Sequence, residues 1–393
     1  MGLNQDTPFD LIIIGGGING ASVARDATLR GLNVCLIEKN TFGSGTSSRS
    51  SKLAHGGIRY LEQFEFSLVS ESLKERELLL KNAPEYVKPL QFIYPIYKSG
   101  HRSLLWVRCG MWLYSFLARK SALPKHQTLS KKEILTLYPF LKSDGLTGGI
   151  SYYDAQMKDY DLVLANIKDA SNQGLIAYEH TQINTFIKQN NHCIGIEITQ
   201  NNITQTLYSK VILNTTGPWA NQINTLDDPN APPLVAPTKG VHIVVKSLNL
   251  THALTLETPT DNRVFFIIPW EDKTLIGTTD TPWDNNPDTI TVTKEDQDYL
   301  LTAANHYLSD ITLDEKDIIQ SFAGLRPLQH SEQSASKRSR DFSLIESKSG
   351  LFHLFGGKYT SYRHMAETTV NHIISKLPNP TQFHPCTTHT RKL

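Results

Sequence analysis

Phe9-Asp10-Leu11-Ile12-Ile13-Ile14-Gly15-Gly16-Gly17-Ile18-Asn19-Gly20 is a short, nearly continuous apolar run that ends in glycines. Such a run predicts a strand buried on both faces of a parallel sheet. From Ile18 to Arg30 the helix formers Ala21, Ala24, Ala27 and Leu29 predict a helix, and Gly31 stands where a helix stops. Val34 to Ile37 follows as a second strand, closing a βαβ unit of about 30 residues. Gly15, Gly17 and Gly20 thus form Gly-x-Gly-x-x-Gly between strand and helix, and Glu38 ends the next strand 18 residues beyond Gly20. In a dinucleotide site these glycines permit a tight turn, a close approach of backbone to pyrophosphate, and close packing of helix on sheet. Glu38 would accept hydrogen bonds from ribose hydroxyls, and its charge disfavours a 2′-phosphate, so NADP fits poorly. The fingerprint alone does not separate FAD from NAD, and a glycine turn with a purely structural role is the plain alternative.

The 393 residues exceed one ordinary core, which predicts two domains. Lys plus Arg total 39 against 38 Asp plus Glu, so no overall field exists for gripping nucleic acid, and phosphate recognition must be local. Cys35, Cys109, Cys193 and Cys386 are scattered without a CxxC pair, which excludes a disulfide scaffold and a cysteine zinc site. No histidine or carboxylate spacing suits a metal, so none is expected. The start of the chain lacks a basic stretch and a signal-length apolar run, which predicts a cytosolic protein.

Further helices are predicted over Phe66–Lys81, Asp161–Ala170 and Arg363–Leu377, with a strand at Leu175–Ala177. After Phe186 short alternating strands with Asn-rich turns appear at Ile194–Ile198, Leu207–Leu213, Val241–Val245 and Val264–Ile268, a texture that favours antiparallel sheet. The expected fold is α/β, with a Rossmann-like nucleotide-binding domain interleaved with an antiparallel-sheet substrate domain. Residues 8–85, 150–225 and 338–378 are assigned to the former, 86–149 and 226–337 to the latter, and 379–393 to a frayed tail.

Gly45-Thr46-Ser47-Ser48-Arg49-Ser50-Ser51-Lys52-Leu53 carries small hydroxyl residues suited to a loop along a diphosphate or ring edge, although a solvated Ser-rich loop has the same composition. This stretch, Ile13–Gly20, His55-Gly56-Gly57-Ile58-Arg59-Tyr60-Leu61-Glu62, Asn214–Trp219, Lys239–Val245, Ile268-Pro269-Trp270, Gly277–Asp280, Gly324–Leu328 and Phe355–Arg363 together resemble the FAD-dependent glycerol-3-phosphate dehydrogenases, in the family's order and over nearly the whole chain. The resemblance implies a fold like that of D-amino-acid oxidase, FAD as cofactor, and oxidation of glycerol 3-phosphate to dihydroxyacetone phosphate. Two departures stand out. Longer members continue into a C-terminal helical domain that this sequence lacks, and Asp161 occupies the place of an Arg that usually precedes Leu162.

With the resemblance, Gly15, Gly17, Ile18, Asn19, Gly20, Glu38, Thr46, Ser47, Ser48, Ser51, Lys52, Leu53, His55, Gly57, Thr216, Gly217, Trp219, Gly324, Gly357, Lys358, Tyr359 and Thr360 become the expected FAD contacts. A phosphate-bearing substrate needs clustered cations, and Arg59, Arg326, Arg340 and Lys358 come from widely separated segments in or beside the matching motifs. Thr279 is a further substrate-side candidate. His242, between apolar neighbours, is the first choice for general base, with Tyr60 and His55 competing. A glycine-rich approach at Gly356–Gly357 before a helix would favour negative charge on the reduced flavin.

Leu104–Leu117 is apolar almost all round, flanked by Arg102, Arg119 and Lys120, and too short to span a bilayer. It suits either an interfacial helix or a helix packed on the substrate domain. The resemblance tips the expectation toward a peripheral enzyme on the inner face of the cytoplasmic membrane that uses quinone, with oxygen as the other acceptor and an oligomer left open. Rival readings are a related flavin oxidase acting on an amino acid or 2-hydroxy acid, and a flavin-binding regulator without turnover.

Overall fold

The structure is a computed structural model that describes residues 7–118, 121–330 and 341–393, apart from the side chain of Arg59. Among these residues the strands form two sheets. The first contains, in spatial order, Phe342–Glu346, Leu351–Gly356, Ile203–Asn214, Phe9–Ile14, Val34–Ile37 and Ile176–Tyr178. Its centre is parallel: Phe9–Ile14 pairs with Val34–Ile37 on one side and with Ser209–Asn214 on the other. Every residue of Phe9–Ile14 is buried, as a strand covered on both faces requires.

One expected antiparallel strand proves to be two things. Ile203–Tyr208 runs antiparallel to Gly195–Gln200, and the same strand then continues parallel to Phe9–Ile14. Its polar, alternating first half lies on the exposed hairpin, whereas its apolar second half, Val211–Leu213, enters the covered core.

The second sheet is assembled mainly from antiparallel strands, with Thr238–Lys246 between Lys273–Gly277 and Ile318–Arg326. Two boundaries assigned from sequence are corrected here. Leu146–Met157 pairs along its length with Val87–Tyr97, and Leu53–Ala54 pairs with Ala155–Gln156, so residues 150–157 and 53–54 belong to this sheet. The ladder runs from Leu146 opposite Tyr97 to Met157 opposite Val87, so the second half of the strand stays in the sheet its first half has joined.

Helix Ile18–Leu29 is buried almost throughout and packs between helices Asp159–Ser171 and Tyr362–Lys376. Ala21, Ala24 and Ala27 are fully buried, and their small side chains permit this close approach. The expected frayed tail is instead docked on these helices. Arg391 and the buried Arg25 both pair with Asp169, His384 N donates to Arg30 O at 3.0 Å, and Leu393 N donates to Asn82 O at 2.7 Å. Polar composition suggested fraying, but the polar groups here satisfy partners on the body.

Asp169 holds one cation that is 3% exposed, Arg25, and one that is 40% exposed, Arg391. Asp169→Ala strands a buried guanidinium and should cost about 3–5 kcal/mol, whereas Arg391→Ala should cost below about 1 kcal/mol. Urea unfolding of the two variants checks the ratio; equal losses would mean that the tail contact, not the buried charge, dominates.

Candidate active site

A cavity of about 940 Å³ runs from the glycine turn of the first sheet to the face of the second. Gly15, Gly17, Ile18 and Asn19 line one end, with Glu38 beyond them. Gly15 has φ +103°, and a Cβ there would lie 3.0 Å from the Thr215 backbone, so glycine is required in this turn. Gly17 caps the helix without a side-chain hydrogen bond, leaving backbone amides and the positive end of the helix dipole toward the cavity. The Glu38 carboxylate accepts from Gly16 N at 2.8 Å and from Asn40 N at 2.9 Å while still facing the cavity. A cradle of glycines, a helix N-terminus and an acidic residue at the next strand end match a dinucleotide with free ribose hydroxyls.

Thr46, Ser47, Ser51, Leu53, His55, Gly57, Thr216, Gly217, Trp219, Gly324, Gly357, Lys358, Tyr359 and Thr360 also line the cavity. Three expected cofactor contacts do not. Gly20 faces the turn, where a Cβ would meet Gly15 O, so its role is packing. Ser48 Oγ donates to Gly45 O at 3.3 Å. Lys52 turns away with a φ of 58°, and its Nζ donates to Ser48 O at 2.6 Å and to Asp159 Oδ1 at 2.7 Å. The Ser-rich loop is therefore organised by protein partners: Ser50 Oγ also donates to Asp159, Thr46 Oγ1 donates to Leu325 O, and Ile18 N donates to Ser47 Oγ. Composition revealed the hydroxyls, but Asp159, about 110 residues away, could not be connected to them from spacing.

On the second sheet His242, Arg326 and Thr278 face the same cavity, joined by Lys358 and Tyr60 from other segments. Arg326 donates to Thr279 O and Asp280 Oδ1, each at 3.2 Å, and to Thr278 Oγ1 at 3.0 Å. Thr279 is corrected from the substrate set: its buried hydroxyl accepts from Val241 N at 3.0 Å, and its neighbour Thr278 reaches the cavity instead. Lys358 Nζ lies 4.6 Å from the Tyr60 ring centroid and donates to Ser72 Oγ at 2.7 Å and Gly56 O at 3.1 Å. Arg340 and the side chain of Arg59 lie outside the described residues. Arg49, Tyr152, Asp154 and Phe266 line the cavity without having been singled out; Arg49 stood in the quoted loop, and the others carry no local signal.

Motif glycines on this side leave room for the working side chains. A Cβ on Gly277 would lie 2.1 Å from the His242 ring, and one on Gly240 would lie 2.3 Å from the Arg326 guanidinium. His242 is 2% exposed and its Nε2 lies 2.9 Å from Ser51 Oγ. Burial, reinforced by the positive charges of Arg326 and Lys52, pushes its pKa down to about 3. The imidazole is neutral at any ordinary working pH.

A family model for FAD dependent oxidoreductases matches residues 10–364. The chain belongs to that family. Aerobic glycerol-3-phosphate dehydrogenase of Staphylococcus aureus strain USA300 is 37% identical over 392 residues, covering 98% of this chain and 70% of the relative. The structure of glycerol-3-phosphate dehydrogenase from Bacillus halodurans complexed with FAD superposes with a TM-score of 0.81 at 34% identity, over 99% of this chain and 68% of that one. Glycine oxidase from Geobacillus kaustophilus, at 22% identity and TM-score 0.68 over 95% of this chain and 96% of its own, shares the fold. Within the FAD-dependent oxidoreductases this chain stands with the glycerol-3-phosphate dehydrogenases. Its cofactor is FAD, and the glycine cradle, Glu38 and the Gly356–Thr360 segment are the residues that would hold it.

His353, paired with Asn214 Nδ2 at 3.0 Å, is pushed down by burial to about 4. Both folded-state values lie below the ordinary 6.5, so the unfolded chain binds more protons as the pH falls through 6.5. Stability present above 6.5 is then lost toward pH 4, with a slope of up to ~1.4 kcal/mol per pH unit for each histidine. Urea unfolding at pH 7.5, 6 and 5 should give falling stabilities, and His353→Asn should flatten the fall; an unchanged slope in that variant would refute the assignment.

Proposed function

We propose that the protein oxidises sn-glycerol 3-phosphate at C2 to dihydroxyacetone phosphate and passes the electrons to a quinone at a membrane surface. The observation that carries the substrate half is the meeting of Arg326, Lys358 and neutral His242 on the side of the cavity opposite the glycine turn. FAD, when bound, supplies the hydride acceptor. Arg326, held in place by Asp280 and Thr278, offers its guanidinium plane to the substrate phosphate. His242 Nε2 takes the C2 hydroxyl proton, with Ser51 beside it.

A free imidazole with a pKa near 3 is a weak base, but the substrate changes its surroundings. A unit negative charge ~5 Å away contributes on the order of 3 kcal/mol at an effective dielectric constant of about 20, equivalent to roughly 2 pKa units. A phosphate dianion therefore offsets the push from Arg326 and Lys52, and the base becomes competent only when the right substrate is present.

The acceptor half rests on helix Leu104–Leu117. Leu105, Trp106, Trp112 and Phe116 are more than half exposed, Phe64 is 77% exposed, and the Trp112 and Phe116 rings stack at 5.9 Å. No helix among the described residues is long and apolar enough to cross a membrane. Arg119 and Lys120, expected as basic flanks, lie outside the described residues. Covering the exposed parts of these side chains contributes on the order of 5–10 kcal/mol before lost freedom of motion is set against it, enough for an interfacial helix. Its inner residues Val107, Met111 and Tyr114 are buried, and the Tyr114 hydroxyl reaches the cavity wall at Asp154, so a lipophilic acceptor at this face would approach the site.

Anaerobic addition of glycerol 3-phosphate to the yellow holoenzyme should bleach it rapidly, while glycine, lactate and glycerol leave it oxidised. His242→Asn should slow the bleaching by about 10²–10⁴-fold. A spectrum indifferent to every phosphorylated polyol, or bleached by glycine instead, would refute the substrate assignment. For the acceptor, a Trp112→Ser/Phe116→Ser variant should sediment with anionic vesicles at least about tenfold less while bleaching at the parent rate, the loss expected from ~1.4 kcal/mol or more of apolar contact. Unchanged sedimentation would sink the membrane half.

A further inference from the structure

We infer that Asp154 is a positioning residue for Lys358, acting through the backbone of Gly56. The inference rests on the functional reading only in that Lys358 belongs to the site. Asp154 lies on strand Leu146–Met157, is 3% exposed, and sits in the cavity wall. Its Oδ1 accepts from Arg76 NH1 at 2.6 Å, Tyr114 OH at 2.8 Å and Gly56 N at 3.2 Å, while Oδ2 lies 3.0 Å from Tyr114 OH. With a guanidinium and a phenol already donating to it, this carboxylate is engaged and is not an available base.

The third donor, the Gly56 amide, gives the arrangement its reach. The carbonyl of the same residue accepts from Lys358 Nζ at 3.1 Å, so Asp154 holds one side of Gly56 and Lys358 is anchored to the other. Little slack is available around Gly56. A Cβ there would lie 2.4 Å from the Tyr114 hydroxyl and 2.6 Å from Leu73, and one on Gly57 would lie 2.7 Å from Lys358 Nζ. Ser72 Oγ supplies a second anchor for the ammonium, so releasing Gly56 shifts Lys358 without freeing it. The ammonium therefore keeps its charge in the cavity but loses a hydrogen bond that helps fix where that charge sits.

A double-mutant cycle between Asp154→Asn and Lys358→Met on the holoenzyme tests this, with two readouts: the midpoint potential of the bound FAD and the Kd for inorganic phosphate. The potential needs no substrate, so a chain that fails to oxidise glycerol 3-phosphate still tests the positioning claim. Lys358→Met should alter at least one readout. Asp154→Asn should alter the same readout in the same direction, by up to about tenfold in Kd, and should add nothing in the Lys358→Met background. Tyr114→Phe keeps the Arg76–Asp154 pair and should give a smaller shift of the same sign, which covers the case in which Asp154→Asn folds poorly. Additive effects, an Asp154→Asn enzyme that loses only thermal stability, or a silent Lys358→Met would each overturn the proposal.

Discussion

Gly20 leaves so little room between the first helix and the turn before it that a Cβ would sit 1.9 Å from the Gly15 carbonyl oxygen and 2.7 Å from Thr215 Oγ1. That contact fixes the height of helix Ile18–Leu29 on the sheet, and with it the place where the helix N-terminus opens into the cavity. The rest follows by packing. Two further helices close over its alanine face, the Ser47 hydroxyl meets the Ile18 amide, and the serine-rich loop then carries Ser51 to His242 on the other sheet. A wider turn would move the phosphate end of the site away from everything the second sheet contributes.

The two halves of the cavity are also tied by charge. Lys52 and Asp159 form a buried pair at 2.7 Å beneath the loop, and Arg363 pairs with Glu75 at 2.7 Å behind Lys358. Buried pairs of this kind contribute little net stability against apolar replacements, but breaking one is costly, so they define a single arrangement of the chain. The positive charge of Lys52 also reaches His242, where it helps keep the imidazole neutral. One residue thus bears on both loop geometry and proton chemistry.

The first sheet was legible because its signal is local: an apolar run, three glycines and an acidic residue within thirty positions. The helices anticipated over Ile18–Arg30, Phe66–Lys81, Asp161–Ala170 and Arg363–Leu377 were legible for the same reason, and Leu104–Leu117 begins and ends where its apolar composition does, whereas Lys131–Leu137, Ala220–Asp227 and Lys294–Asn305 were not anticipated. Long-range choices were not. Whether Leu146–Met157 crosses into one sheet or the other depends on its pairing with Val87–Tyr97, and the partner change within Ile203–Asn214 depends on a strand two hundred residues earlier. The site divides along the same line. His242, Arg326 and Lys358 stood in motifs that resemblance made readable, whereas Asp154, Asp159 and Tyr114 owe their roles to neighbours brought from elsewhere. Thr279 and Lys52 were misplaced because adjacent positions on a strand or loop face opposite ways, and spacing alone does not say which neighbour faces inward.

The parallel pairing of Ile212–Asn214 with Leu351–His353 has a consequence for how the protein comes into being. The fingerprint leaves the ribosome first, but the strand that extends the sheet beyond Ile203–Asn214, and the Gly356–Thr360 segment that lines the cavity, are made more than three hundred residues later. Ser22, on the first helix, waits for the Tyr362 carbonyl, 340 positions on. At synthesis rates of about 5–20 residues per second, roughly 15–70 seconds separate the first helix from helix Tyr362–Lys376, which packs against it. A site that needs both the glycine turn and the Gly356–Thr360 segment is therefore complete only once almost the whole of the described chain has been made.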